Sequence, residues 1–369
     1  VTENVRIFLD SGAPSLYNTL VRKDKKATYM GSYLEDRKFD VYPFLDVHQC
    51  PNSRDYGTWE NAEPCLSCPL SEICSSRKIY LEYRDGYVQF ILKYKDHLEV
   101  YANLDVINNP EATWDNQKYL ESFGLTPIPV FHFGCDEKWL EMYLELGYTY
   151  IAMGGMIPNP PKVLIPNLDR IWSTMLTDDK GMPLVKVHGF AVTSAKLVNR
   201  YPWYSCDSTS WVKFGKYGIV CVPRWRSGEY IYDEPAWSVV VSTRSPSIKI
   251  EGKHLKNFTD AERKFITRYF EEKGFVLGES EFRMEPSDYK LEEDERWDGK
   301  AVDGQRSVEK ILIRGLSNDY RKRDELNILY YLDLEKSIPE WPWVFQHKVK
   351  QQSQPKLFCL KDLQGGNNG

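Results

Sequence analysis

The feature that most constrains this chain is a repeating order in which a short apolar, β-rich run gives way to a polar turn or a helical pattern. The runs are VRIFLDSG from Val5, LEVYANLDVI from Leu98, PIPVFHFG from Pro127, YTYIAMGGM from Tyr148, LVKVHGFAV from Leu184 and WYSCDSTSW from Trp203. Between them lie helical patterns such as DNQKYLESFG and DEKWLEMYLELG; the second spaces Trp139, Tyr143 and Leu146 by four and three residues and closes on Gly147. Buried strands separated by helices predict a parallel sheet. Six such units in succession favour a closed TIM-like (β/α)8 barrel over an open sheet, making the fold class α/β.

A chain of 369 residues has room for a barrel with additions. The pattern divides it into a barrel start over 1–41, a cysteine-rich metal-binding insertion over 42–78, a barrel core with the active site over 79–250, and 251–369 for barrel completion with an α-rich C-terminal extension. In the last part a helix is expected from Thr259 to Lys273, begun by Thr259 and Asp260 and ended by Gly274. The acidic stretch KLEEDERWDGK from Lys290 reads as solvated surface or a mobile loop, and the tail LQGGNNG as disordered.

Composition removes several classes. Hydrophobic residues at 42% and aromatic residues at 14% are incompatible with a disordered or collagen-like chain. A formal net charge of −5 rules out a histone-like nucleic-acid coat, so any polyanion must bind at a local patch. No window approaches the roughly 18 to 20 apolar residues of a membrane span, and the opening VTENVRIFLD lacks the basic segment and apolar stretch of a leader. The expectation is a cytoplasmic protein with no membrane partner.

Four of the eight cysteines cluster as Cys50-x14-Cys65-x2-Cys68-x5-Cys74. In a reducing compartment that clustering reads as metal before disulfide. Four thiolates suit a tetrahedral structural zinc, and the same spacing suits an iron–sulfur cluster; replacement of one thiolate by His48 would favour zinc. Cys135, Cys206, Cys221 and Cys359 are scattered and read as small apolar core residues.

Each predicted strand ends in a polar or glycine turn, at Asp10-Ser11-Gly12, Asp105, His132, Gly154-Gly155, His188-Gly189 and Asp207. Carboxyl ends of barrel strands carry active sites, so one mouth would collect carboxylates, imidazoles and a flexible Gly-Gly turn. Asp and Gly are also ordinary turn residues, which accounts for single positions better than for the whole set. After Asp207, Trp211 and Trp225 are interleaved with Lys213, Lys216, Arg224 and Arg226. Aromatic faces for bases and cations for phosphates describe a strand-gripping surface, and an edge hairpin with ordinary surface charge describes the segment equally well.

In this order the motifs resemble the tRNA-guanine transglycosylase superfamily, and within it the enzymes that insert 7-deazaguanine bases into DNA. Asp10-Ser11-Gly12-Ala13 resembles the family's Asp-Ser-Gly-Gly turn, Leu104-Asp105 its base-reading Asp, and Ala152-Met153-Gly154-Gly155-Met156 its Gly-Gly-Leu. Gly189-Phe190-Ala191-Val192 resembles the following glycine-containing strand, and Ser205-Cys206-Asp207 the strand end bearing the nucleophile. Two departures stand out: His132 occupies the place of a family Gln, and the tRNA enzymes' Cys-x-Cys-x2-Cys zinc motif with its later His has no counterpart after Asp207. Both fit DNA better than tRNA as the polymer.

The resemblance implies base exchange with Asp207 as the nucleophile and Asp10 as the general acid and base. Asp105 would accept from guanine N1–H and N2–H, while Gly154, Gly155 and Met156 would present backbone N–H groups to O6 with His132 nearby. Partners would be DNA, with tRNA as the alternative, and a free 7-deazaguanine base such as preQ0; no organic cofactor is implied. A different class remains open, a non-catalytic nucleic-acid-binding barrel stapled by its metal.

Overall fold

The computed structural model describes residues 8–10, 71–106, 109–157, 159–192, 194–244 and 253–347, with the backbone alone for 71–80. Contacts group the chain into two compact units, Val1–Ile157 with Val185–Ala191, and Pro158–Leu184 with Val192–Gly369. The segment 79–250 contributes to both. Cys50, Cys65, Cys68 and Cys359 lie outside the described residues, as do Ser11, Gly12, His48 and the tail.

The first unit is parallel. Strands β1 (Phe8–Leu9), β2 (Val100–Tyr101), β3 (Val130–His132), β4 (Tyr150–Gly154) and β5 (Lys186–Gly189) each fall inside a run expected from sequence. Helix α1 (Ser71–Tyr94) precedes β2, α2 (Pro110–Glu121) precedes β3 and α3 (Lys138–Glu145) precedes β4. Strand β1 pairs with β2, β3 with β4, and β4 with β5, all parallel. The parallel bridge from Ala102 to Ile128 joins the two sets, so hydrogen bonding runs unbroken from β1 to β5.

A flat sheet would hold β1 and β5 about 19 Å apart, four spacings of about 4.8 Å. Yet the Phe8 ring in β1 stacks on the His188 ring in β5 with centroids 4.2 Å apart. The sheet therefore curls, and its concave side buries Ala102, Ile128, Val130 and Ala152 against Phe8, Val100, Tyr150 and Phe190. Small alanines let the strands close inward where larger side chains would hold them apart. The convex side packs Leu9 and Tyr101 against Tyr87, Val88 and Ile91 of α1 and Leu120 of α2. Among the described residues the strands do not complete a ring.

The second unit is largely antiparallel beyond its first helices. It contains α4 (Pro161–Ile171), the short α5 (Ala195–Val198), β6 (Ser205–Cys206) and α6 (Ser210–Lys216). Strand β7 (Ile219–Val222) pairs antiparallel with β10 (Trp237–Val240), and β8 (Arg224–Arg226) pairs antiparallel with β9 (Glu229–Ile231). Helix α7 (Asp260–Glu272) begins at the N-cap Thr259 with a capping box to Glu262 and ends near Gly274 at φ +81°, matching the expected helix. Strands β11 (Glu279–Pro286), β12 (Glu295–Val302) and β13 (Gln305–Ile313) form an antiparallel sheet with β13 central, and α8 (Tyr320–Ser337) follows.

This sheet corrects two expectations. The C-terminal extension is mixed, not α-rich. The acidic stretch from Lys290 is exposed through Asp294, but its second half is strand β12. Asp303 at φ +51° and Gly304 at φ +75° turn the chain between β12 and β13. Two successive positive φ values match the twist of antiparallel strands, which is why Asp-Gly nucleates a hairpin here despite the surrounding charge. No described helix is long and apolar enough to cross a membrane.

Candidate active site

In the first unit the carboxyl ends of the strands carry the chemistry. Side chains alternate across a strand, so residues two apart share a face. Phe8, Val130 and Ala152 contribute to the concave core. Asp10, His132 and Gly154 each stand two residues further on and one step toward the mouth of the curl.

Asp105 lies beyond β2 in a loop that helix α2 holds from below. Asn116 Nδ2 donates to the Leu104 carbonyl at 2.7 Å, Thr113 Oγ1 accepts from Val106 N at 2.9 Å, and Asn103 Nδ2 donates to the Thr113 carbonyl at 2.7 Å. These polar groups are buried, so the loop between them has little freedom to reorient. So held, Asp105 Oδ2 meets His132 Nε2 at 2.8 Å, with the His132 side chain 2% and the Asp105 side chain 12% exposed. Sequence reading assigned the two residues separate contacts with a base; the structure makes them a pair.

The Gly-Gly turn is shaped by the same imidazole. A Cβ on Gly154 would lie 3.3 Å from His132 Cδ2, and one on Gly155, at φ +72°, would lie 3.2 Å from Phe133 N. The Gly154 carbonyl accepts from Phe133 N at 2.9 Å. Glycines are needed because the β4 end runs directly against the β3 end. Met156 is buried beside them.

Tyr83 and Tyr87 of α1 were not anticipated. Burial is the main reason both phenols are pushed up, and Asp10 adds to it for both; Asp105 adds to it for Tyr87. The buried Tyr87 hydroxyl donates to the Ala102 carbonyl at 2.7 Å. Their sequence signal is weak, since α1 falls across the expected end of the cysteine-rich insertion, and Cys74 lies in its first turns.

Asp207 belongs to the second unit, exposed at the end of β6. Within that unit it lines a cavity of about 590 Å³ together with Ser205, Cys206, Ser208, Trp211 and residues of α8 and the segment after it. Asn327 of α8 organises this region: Oδ1 accepts from Cys221 N at 2.8 Å, and Nδ2 donates to the carbonyls of Trp211 and Ile219. Cys221 is buried, which pushes its thiol up to about 12 and keeps it inert at neutral pH. Cys135 and Cys206 are half-buried, short of the full burial expected for them.

The expected strand-gripping residues divide. Trp225 sits on the β8–β9 hairpin against Tyr230 and Phe265, with the Arg268 guanidinium 4.3 Å from its ring centroid. Arg224 donates to the Pro235 carbonyl and covers the Trp237 ring at 4.6 Å, while Arg226 pairs with Glu234. This cluster is a hairpin packed on α7, with its cations engaged within the protein. Lys213 and Lys216 are exposed on α6, and Trp211 of the same helix lines the Asp207 cavity.

No family model, curated protein or solved structure matches this chain.

Proposed function

We propose that the chain is a base-exchange glycosyltransferase that replaces guanine in DNA with a 7-deazaguanine base through a covalent aspartyl-glycosyl intermediate. The observation that carries this reading is the mouth of the curled parallel sheet, where Asp10, the Asp105–His132 pair and the Gly154-Gly155 turn come from successive strand ends. Such a set offers a proton carrier, an acceptor for paired N–H donors and a close-approach backbone, as recognition of a guanine edge requires.

The exchange takes two displacements at the sugar C1′. A carboxylate oxygen of Asp207 bonds to C1′ as the C1′–N9 bond breaks, and Asp10 delivers the proton that the departing guanine requires. The entering 7-deazaguanine then loses its N9 proton to Asp10, and N9 bonds to C1′ as the ester to Asp207 breaks. Asp105 accepts from N1–H and N2–H of each base, and His132 holds its Oδ2 and so fixes the plane of the carboxylate. The target nucleotide must leave its stack, at a cost of a few kcal/mol in duplex that contacts along the strand offset. Cys50, Cys65, Cys68 and Cys74 would hold zinc, or an iron–sulfur cluster, as a staple with no part in the exchange.

Trapping the intermediate tests the reading. With DNA and no entering base, wild type should yield a denaturation-resistant protein–DNA adduct, and Asp207→Asn should yield none while still binding DNA. Asp10→Asn should retain some adduct with a substrate whose leaving base needs little protonation. An adduct persisting in Asp207→Asn would remove the nucleophile from that position. Incorporation of a labelled 7-deazaguanine into tRNA and not DNA would reassign the polymer.

A further inference from the structure

We propose that the cavity beside Asp207 is a binding site for a planar organic cation, an aromatic ring carrying a positive charge. This goes beyond base exchange, because it concerns what the cavity holds and requires no bond to form or break. Five aromatic residues line it: Trp203, Tyr204, Trp211, Tyr331 and Trp341. Tyr204 and Trp341 meet edge to face with centroids 5.2 Å apart.

The charged groups on the lining are Asp207, Glu335 and Glu340, all exposed, and no Lys, Arg or His joins them. Glu335 and Glu340 make no side-chain hydrogen bond or ion pair to a described residue, although charged side chains elsewhere in this unit are extensively paired. A volume of about 590 Å³ lies in the range that holds a small organic ligand. Aromatic faces attract cations through the ring quadrupole, and the Glu335 and Glu340 carboxylates add to the same preference. A neutral ring would gain only the first half of this environment.

The test uses the full chain with N-methylquinolinium and its neutral counterpart quinoline at pH 7.5, followed by tryptophan fluorescence and equilibrium dialysis. N-methylquinolinium should bind at least tenfold more tightly, and added salt should shrink that ratio. Joint substitution Glu335→Gln and Glu340→Gln should remove most of the preference and leave quinoline affinity unchanged. Trp341→Leu, checked for an unaltered melting transition, should weaken both ligands. Equal affinity for the two, a preference unmoved by the glutamine substitutions, or no binding of either would overturn the assignment. Base exchange measured on the same preparation separates the two readings: exchange without cation binding defeats only this one, and cation binding without exchange defeats only the other.

Discussion

The curled parallel sheet of the first unit and the β11–β13–β12 sheet of the second bury their central strands by opposite means. On the concave side of the parallel sheet the core is Ala102, Ile128, Val130 and Ala152. In the antiparallel sheet, Glu309 is fully buried on the central strand and accepts from Ser280 Oγ at 2.8 Å and Arg296 Nε at 2.9 Å, with Arg244 Nε 3.2 Å away. Glu295, on the edge strand β12, is held by Arg283 at 2.7 Å and Tyr289. The contrast separates two kinds of dependence. Apolar strands leave their ends free to carry reactive groups, whereas a sheet locked by ion pairs spends its charges on its own stability.

The sharpest way to break this contrast is Glu309→Ala. It removes the buried carboxylate that two guanidiniums share, and the expected loss is about 3 kcal/mol of unfolding free energy, below the upper end for buried pairs because both arginines are partly exposed and keep other partners, Asp298 for Arg244 and the Asn318 carbonyl for Arg296. Urea unfolding measures it, and a loss under about 0.5 kcal/mol would show that the pairs are incidental. Base exchange by the molecules that remain folded should be unchanged.

Gly155→Ala reverses the pattern. Its φ of +72° and the 3.2 Å approach to Phe133 N predict roughly 1 to 2 kcal/mol of destabilisation. The larger consequence is functional: displacement of the β3 end should misplace His132 and lower exchange by ten- to a hundredfold. A variant with wild-type kcat/KM would detach the Gly-Gly turn from the site.

Gly304→Ala probes the hairpin that joins β12 to β13 and should cost about 1 kcal/mol, because φ there is +75° while a Cβ would meet nothing within 4 Å. A neutral result in urea unfolding would mean that the ion pairs alone set the register. The smallest effect is expected from Lys213→Gln, an exposed cation on α6. DNA affinity should fall only a few-fold, and the slope of log affinity against log salt should drop by about one. An unchanged slope would place the phosphate contacts elsewhere.

Much of this was legible before any coordinates. All six apolar runs contain the strand expected of them, because alternation and β-branched content act over four to eight residues and need no distant partner. Thr259 and Asp260 marked the start of α7 for the same reason: an N-cap is satisfied within one turn, here by a capping box to Glu262. The β12–β13 hairpin was not read from the sequence, although its signal is there. Asp303-Gly304 is a strong turn signal, masked by the acidic residues before it, which suggested solvated loop.

Sequence by itself, then, determined where the strands of the six apolar runs and helix α7 lie and which reactive residues stand at those strand ends. Tertiary structure alone decided which of those residues meet. Asp105 and His132 are 27 residues apart, yet they pair because the Asp105 loop is pinned by buried polar groups of α2. Phe8 reaches His188 only because the sheet curls. The cavity that Asp207 lines also takes Tyr331 and Trp341, more than a hundred residues later in the chain. Local patterns carry torsional and burial preferences, but long-range encounters depend on how elements pack, and no short window of sequence encodes that.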